Sequence, residues 1–423
     1  MRKAVTRLAV LVMTCAACAA QASAAQSDRP TTARTVANLP APALPVTGAS
    51  LLLAGSTTPL WSLHGDSELP IASATKMMTA LVVLQRVRNL DTVFTQTDWR
   101  PDPVDSQIGL VPGERMTVHD LLLALLLPSA DDAAEDLAYN VGRGSVARFV
   151  GWMNADARAL GLDRTHYTTP IGLDTAGNYS SPDDLVRLAD LLMRDWPFFR
   201  RTVALSSATL ESGRYVRHIV STDDLVGKVP WIRGVKTGHT GAAGYVLVSE
   251  GHRDGFTLLA SVLGTASESE RDASALRLLD WGFSQFRVIR PVRAGQVLAR
   301  RRVAYEAAPA LVVAARGYRT IVARGTAVRT AIGRLRRLEG PMAKGTVVGE
   351  LRVSIAGRAP VRVPLILGRR LPAVSAWAKL GHLANRPFTL LMLALLLGGA
   401  AAAVTIGRRR RPRVLLTVSV DER

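Results

Sequence analysis

Cysteine is almost missing from this chain: Cys15 and Cys18 are its only two, and both lie in one apolar stretch near the start. If that stretch is removed, no disulfide and no cysteine metal site remains possible. Lysine is nearly as scarce. Of 53 basic residues, six are lysine: Lys3, Lys76, Lys228, Lys236, Lys344 and Lys379. A chain this rich in arginine would be expected to place arginine wherever charge alone is needed. Arginine cannot be deprotonated in a protein, so a retained lysine hints at proton chemistry. Acidic residues are thin toward the end. From Arg287 to Arg423 there are five, against 27 basic residues, whereas Ala25 to Phe286 carries 29 against 23. A basic block of that kind can face nucleic acid, an anionic lipid surface or another polyanion.

Long uncharged runs are also few, and two of them read as membrane signals. Arg2, Lys3 and Arg7 precede the apolar stretch Leu8 to Ala20, and Ala22-Ser23-Ala24 offers a small-residue cleavage site. This is the pattern of a secretory signal over residues 1–24. Phe388 to Ile406 is 19 residues without a charge, about 28 Å as a helix against a bilayer core of ~30 Å. Arg408 to Arg411 and Arg413 follow it, and a cluster of that kind stays in the cytoplasm. The expected topology is a single-pass anchor in a bacterial cell membrane, with the domains outside and residues 407–423 as a cytoplasmic tail. That placement excludes nucleic acid as the partner of the basic region.

Residues 25–46 are rich in Pro, Ala, Thr and Ser and read as a linker. Strands are expected at Ala49–Ala54 and Leu60–Leu63, then a helix from Ser73. Thr117 is placed to cap a helix to Leu127, Ser129-Ala130-Asp131 to open another toward Tyr139, Gly161 to stop Val146–Leu160, and Ser181 to start one ending near Arg194. Gly234–Gly238, Gly244–Ser249 and Phe256–Gly264 are apolar runs bounded by glycine, followed by a helix over Ser269–Phe283. Strands at both ends with helices between predict an α/β sandwich over residues 47–286. The short β-rich runs Val292–Val303, Ala310–Val313, Thr320–Val322, Gly345–Ile355 and Arg362–Leu367 predict a small all-β domain over 287–368, then a juxtamembrane segment over 369–387.

Three short motifs carry the chemistry. Ser73-Ala74-Thr75-Lys76 opens an apolar run whose Met77, Leu81, Leu84 and Val87 recur at helical spacing. Residues three apart share a helix face, so a hydroxyl meets an amine. Serine is a weak nucleophile near pH 7 and needs a proton acceptor beside it; lysine serves when burial or a second cation lowers its pKa. The bland alternative is a helix-capping serine with an exposed lysine one turn on. Ser129-Ala130-Asp131 lies 56 residues after Ser73, and Gly234-Val235-Lys236-Thr237-Gly238-His239-Thr240 far downstream. Each is weak alone; the three in this order are far more specific.

With these motifs the chain resembles the penicillin-recognising serine enzymes, in particular the low-molecular-mass penicillin-binding proteins that act as D-alanyl-D-alanine carboxypeptidases. Ile108 to Glu114, Met153-Asn154-Ala155, Leu160-Gly161-Leu162, Thr165-His166-Tyr167, Gly172-Leu173-Asp174, Tyr179 to Leu185, Trp281-Gly282-Phe283 and Lys344 to Gly349 share the likeness, which covers Leu51 to Leu367. The resemblance implies a β-lactamase/transpeptidase-like sandwich, an antiparallel sheet with helices on both faces. It implies peptidoglycan stem peptides as substrate, β-lactams as covalent inhibitors, and neither metal nor cofactor. Ser73 would be acylated, Lys76 would take its proton, and Ser129 would relay a proton toward the leaving D-alanine. Lys236 would supply positive potential and Thr237 would hold the terminal carboxylate. Gly238 would leave room for substrate backbone, and the N–H groups of Ser73 and His239 would form an oxyanion hole.

The chain departs from the family at four positions. Asp131 stands where Asn is usual, Ser221 and Asp223 where two Asn are usual, and Arg233 where Asp is usual. An ionised Asp only accepts hydrogen bonds and favours the charged forms of nearby lysines. A weakly catalytic homologue acting as a cell-wall sensor or scaffold is therefore the competing expectation. A β-lactamase is a second, but it would want a deacylating Glu-x-x-x-Asn between the second and third motifs, and none stands out. His119, His166, Trp152 and Trp281 read as structural.

Overall fold

A computed structural model describes residues 42–102, 105–303, 306, 308–376 and 387–409. They divide into two compact units, one running to residue 289 and including 320–326, the other formed by 290–319 and 327 onward. The segment expected to be a secretory signal and most of the expected linker lie outside the described residues. The end of that linker is packed rather than loose: Leu44 and Val46 lie against a hydrophobic core, and Arg277 donates to the Ala43 carbonyl (3.2 Å).

In chain order the first unit begins with β1 (Gly48–Leu53), β2 (Trp61–Leu63), a 3-10 turn (Ala72–Thr75) and α1 (Lys76–Arg86). β3 (Val93–Thr95), β4 (Arg115–Thr117), α2 (Val118–Leu126), α3 (Asp131–Val141) and α4 (Val146–Ala159) follow. Next come α5 (Pro182–Asp195), α6 (Pro197–Val203) and the hairpin β5 (Ser207–Leu210) and β6 (Arg217–Val220). The unit is completed by β7 (Ile232–Thr240), β8 (Gly244–Arg253), β9 (Phe256–Thr265) and α7 (Glu268–Gln285). The main sheet has the order β2-β1-β9-β8-β7 with every pair antiparallel.

This sheet is buried on both faces, and β1 shows how. Leu52 belongs to the core shared with α1 to α5, whereas Ala49, Leu51 and Leu53 belong to the core under α7. Side chains alternate along a strand, and all six residues of β1 are buried, Ser50 among them, as a sheet covered on both faces requires. The expected sandwich of antiparallel strands and helices is observed. Helix starts follow local capping. Thr117, Ser145, Ser181 and Ser267 each accept from the backbone N–H three residues on, each a contact worth ~1 kcal/mol. The sequence reading did not foresee α6, β3, β4 or the β5–β6 hairpin. These elements are short, and their apolar positions are too few to show a period.

The second unit holds β11 (Val297–Arg301), β12 (Ala310–Ala314), β14 (Val328–Ile332), β15 (Val347–Ile355) and β16 (Val361–Leu367) in the order β11-β12-β16-β15-β14. β10 (Phe286–Val292) pairs with β13 (Tyr318–Ala323), and more than half of each strand is counted with the first unit. The expected run Val292–Val303 is thus two strands, parted by the turn at 293–296 where Gly295 N–H donates to the Ala314 carbonyl. β14 was missed because four of its five residues are exposed and its pattern is flat. α8 (Pro387–Arg409) closes the described chain. Its side chains are described only at 390–392 and 394–406. Among the described residues no helix is long and apolar enough to cross a membrane.

Candidate active site

Ser73 sits inside the 3-10 turn, not at a helix cap: Thr75 is the N-cap of α1, and it makes no side-chain cap hydrogen bond. Lys76 is the first residue of α1 and is fully buried. The capping-serine reading, with its exposed lysine, therefore fails on both counts. Lys76 Nζ donates to Ser73 Oγ at 2.8 Å and to the Ile171 carbonyl at 3.1 Å. That carbonyl lies beside Gly172, whose φ is +99°. A Cβ there would stand 2.1 Å from the Ala72 carbonyl, so only glycine lets this loop reach the turn.

The second motif approaches from the gap between α2 and α3. Ser129 is buried with a φ of +66°, and its Oγ has no hydrogen-bond partner. A non-glycine residue held in the left-handed region is strained backbone of the kind that clusters at functional sites. Asp131 opens α3, and its Oδ1 lies 2.5 Å from Lys76 Nζ. The two form a buried ion pair. Asp132, beside it, accepts from the Ile108 and Leu110 N–H groups and holds the loop before β4.

β7 brings the third motif. Lys236 is buried and donates to the Thr237 carbonyl at 3.0 Å. Thr237 Oγ1 lies 2.6 Å from Thr222 Oγ1. Gly238 packs on the nucleophile turn: a Cβ there would lie 2.8 Å from Ser73 N and 2.9 Å from Ala72 Cβ. The glycine is thus needed for close approach of strand and turn. His239 is exposed and its ring stacks on Tyr245 across the strand pair, with centroids 4.0 Å apart. Asp174 ties the end of β7 to the Gly-Leu-Asp loop by accepting from Thr240 Oγ1 (2.6 Å) and Ala242 N (2.8 Å). A cavity of about 220 Å³ opens on this side, bordered by Pro70, Ala72, Leu173, Asp174 and Ala242.

Burial lowers the Lys76 pKa, and Asp131, Asp105 and Asp132 oppose this. Burial also takes Lys236 well below the ordinary lysine value, helped by the charge on Lys76 and opposed by Asp131 and Asp223. Burial raises Asp131 against the pull of Lys76. Burial likewise pushes Asp223 up to about 6. The site therefore gathers two buried lysines and two carboxylates, with burial lowering the lysines and raising the acids while their mutual charge works the other way.

Sequence reasoning missed three contributors. Thr222 stands between the two positions noted as departures, and its hydroxyl reaches Thr237. Arg271 on α7 is buried and adds positive charge near Lys236 and Asp223. Asn178 donates to Thr75 Oγ1 at 3.2 Å and steadies the turn. None lies in a short motif; only Thr222 had a signal, its place beside Ser221 and Asp223. Arg233 is exposed on β7 and sits near the buried Glu250 rather than in the site. His119 stacks edge-on against Phe198 and pairs with Asp120, and His166 bonds the Gly177 carbonyl. Both act in the framework, as expected.

The profile of the Peptidase_S11 family, D-alanyl-D-alanine carboxypeptidase, matches residues 47–267. The chain belongs to that family. A D-alanyl-D-alanine carboxypeptidase of Bacillus subtilis (strain 168), DacF, is 31% identical over 58% of this chain and 64% of its own length, just under two thirds. DacA of Escherichia coli (strain K12), described likewise, is 29% identical over 88% of this chain and 94% of its own. The solved structure of penicillin binding protein 5 from Haemophilus influenzae is 27% identical, with a TM-score of 0.58, and covers 79% of this chain and 99% of that one. This D-alanyl-D-alanine carboxypeptidase family member is thus a serine hydrolase with the penicillin-binding α/β fold.

Proposed function

We propose that this chain removes the terminal D-alanine from peptidoglycan stem peptides through an acyl-enzyme on Ser73. The observation that carries this is the 2.8 Å contact between Ser73 Oγ and the buried Nζ of Lys76, the separation a proton transfer needs. Ser73 Oγ attacks the penultimate D-alanine carbonyl and its proton passes to Lys76. The Ser73 and His239 N–H groups take the developing oxyanion, a role typically worth ~2.7–4 kcal/mol per donor. Ser129, whose hydroxyl is free, passes the proton to the leaving amine, and the C–N bond breaks. The terminal carboxylate is held by Thr237 within the field of Lys236 and Arg271. Water then cleaves the ester, and β-lactams are trapped at the ester stage.

A second reading has a specific observation behind it. Asp131 within 2.5 Å of Lys76 favours the charged lysine, which suits a slow or inactive homologue that binds wall peptides. One experiment separates the two. Incubation with a β-lactam followed by intact-mass analysis should show one stable adduct on Ser73, absent in Ser73→Ala, and a pentapeptide ending in D-Ala-D-Ala should lose one alanine. No adduct and no released alanine would leave the scaffold reading standing, and rapid turnover of the β-lactam would point to a β-lactamase.

We also propose that the enzyme is exported, with residues 1–24 as its signal, and anchored by residues 388–406 in the bacterial cell membrane. The support is the uncharged run Phe388 to Ile406 and the arginine cluster that follows it.

A further inference from the structure

The second unit carries a charge pattern that its own folding does not need. The strand registers place Arg352 of β15 directly opposite Arg362 of β16. The same register sets Ala331 of β14 against Arg352, and Arg329 against Ser354 two residues along the same face. Paired residues share a sheet face, so Arg329, Arg352 and Arg362 form one outward row, and all three are exposed. Like charges directly opposite each other destabilise a strand pair. One acid relieves the row: Glu350 lies 3.7 Å from Arg362. The opposite face is sealed by Leu351, Val353, Val363 and Leu365, so the arginines are not tethered for packing.

Further along this outward face, Val313 pairs with Ile366, and both are half-buried. A soluble polyanion would use the arginines alone. A bilayer surface offers headgroup phosphates to the arginines and an acyl boundary to the apolar side chains. The chain also brings that surface within reach: nineteen residues separate the end of β16 from the start of α8, at most about 65 Å of chain. We propose that the Arg329–Arg352–Arg362 face of this sheet docks on the anionic lipid headgroups of the membrane in which the chain is anchored. This rests on the anchor reading above, and its test keeps the two apart.

The full chain, with Cys15→Ser, Cys18→Ser and Ser354→Cys, is labelled with an environment-sensitive dye at that position and placed in lipid nanodiscs. Discs of phosphatidylglycerol and phosphatidylcholine should shift the emission to the blue. Discs of phosphatidylcholine alone should not. The shift should vanish at about 0.5 M salt, where screening reaches a few ångströms. It should also vanish in Arg352→Gln/Arg362→Gln, while β-lactam acylation continues unchanged and reports a folded protein. An equal shift in both discs, or one that survives the double substitution, overturns the proposal. An equal shift when a soluble polyphosphate is added to phosphatidylcholine discs also overturns it, in favour of a polymer partner. If the chain does not stay with the discs at all, the anchor reading has failed. Sedimentation with phosphatidylglycerol vesicles then decides the patch: arginine-dependent binding supports it and none overturns it.

Discussion

The carboxylate of Asp131 lies closer to Lys76 than the hydroxyl the lysine is to activate. Burial alone would free the base; Asp131 holds back that fall, with Asp105 and Asp132 acting the same way and Lys236 facing it from β7. Asp131→Asn removes the nearest negative charge and supplies an amide donor for substrate. The Lys76 pKa should then fall further, and each unit of fall raises the neutral fraction about tenfold. The pH–rate profile of β-lactam acylation should move to lower pH, with a rate near neutrality about tenfold higher. A variant slower at every pH would show instead that leaving Lys76 without its partner, a loss that can reach ~3–5 kcal/mol for a buried pair, outweighs the gain. Asp131 would then be a working part of the site.

At the scale of elements, the site depends on how closely β7 meets the 3-10 turn. Gly238→Ala would bring a methyl within 2.8 Å of Ser73 N, so strand or turn must move by several tenths of an ångström. Misplacement of this order can cost on the order of a hundredfold in rate. The expected result is a large loss in acylation rate with a far smaller change in melting temperature; loss of folding alone would contradict it. The neighbouring strand β8 buries Glu250, whose pKa burial raises from 4.5 to about 7 against the pull of Arg233 and Arg200. Between those two pH values the folded state keeps a proton that the unfolded state has released, so this group's contribution to stability falls as pH rises through the window. Above it, the group costs about 3 kcal/mol. Glu250→Gln should therefore gain stability over the parent as pH is raised from 4 to 8, measured by urea unfolding at each pH. A constant difference across that range would refute the assignment.

For the whole molecule, the proposed topology makes a direct prediction. Protease added to intact spheroplasts should digest the catalytic unit and spare an epitope placed after Arg423. Cleavage of that epitope from outside would rule out a cytoplasmic tail. The charge asymmetry fits the same arrangement: the catalytic stretch 25–286 is mildly acidic, and the basic residues gather toward the expected anchor. Nearby anions would relieve the self-repulsion of that basic part.

Local chemistry settled much of this protein before any folding. Thr117 and Ser181 sit where a cap must be, and the glycine-bounded apolar runs of β7, β8 and β9 already read as strands. Two of the six lysines in a chain of arginines, Lys76 and Lys236, stand in the short motifs, and both proved buried. What sequence could not decide is which groups meet at a distance. Asp131 and Lys76 are 55 positions apart, yet their 2.5 Å contact depends on how α1 packs against α3. The need for glycine at 238 arises from the Ser73 turn, 165 residues earlier, and the reach of Thr222 and Arg271 into the site comes from loops and a helix with no motif of their own. Propensity and capping act over a few residues, so they are written in order along the chain. Electrostatic coupling and close approach act through space, and only the packed sheet brings their partners together.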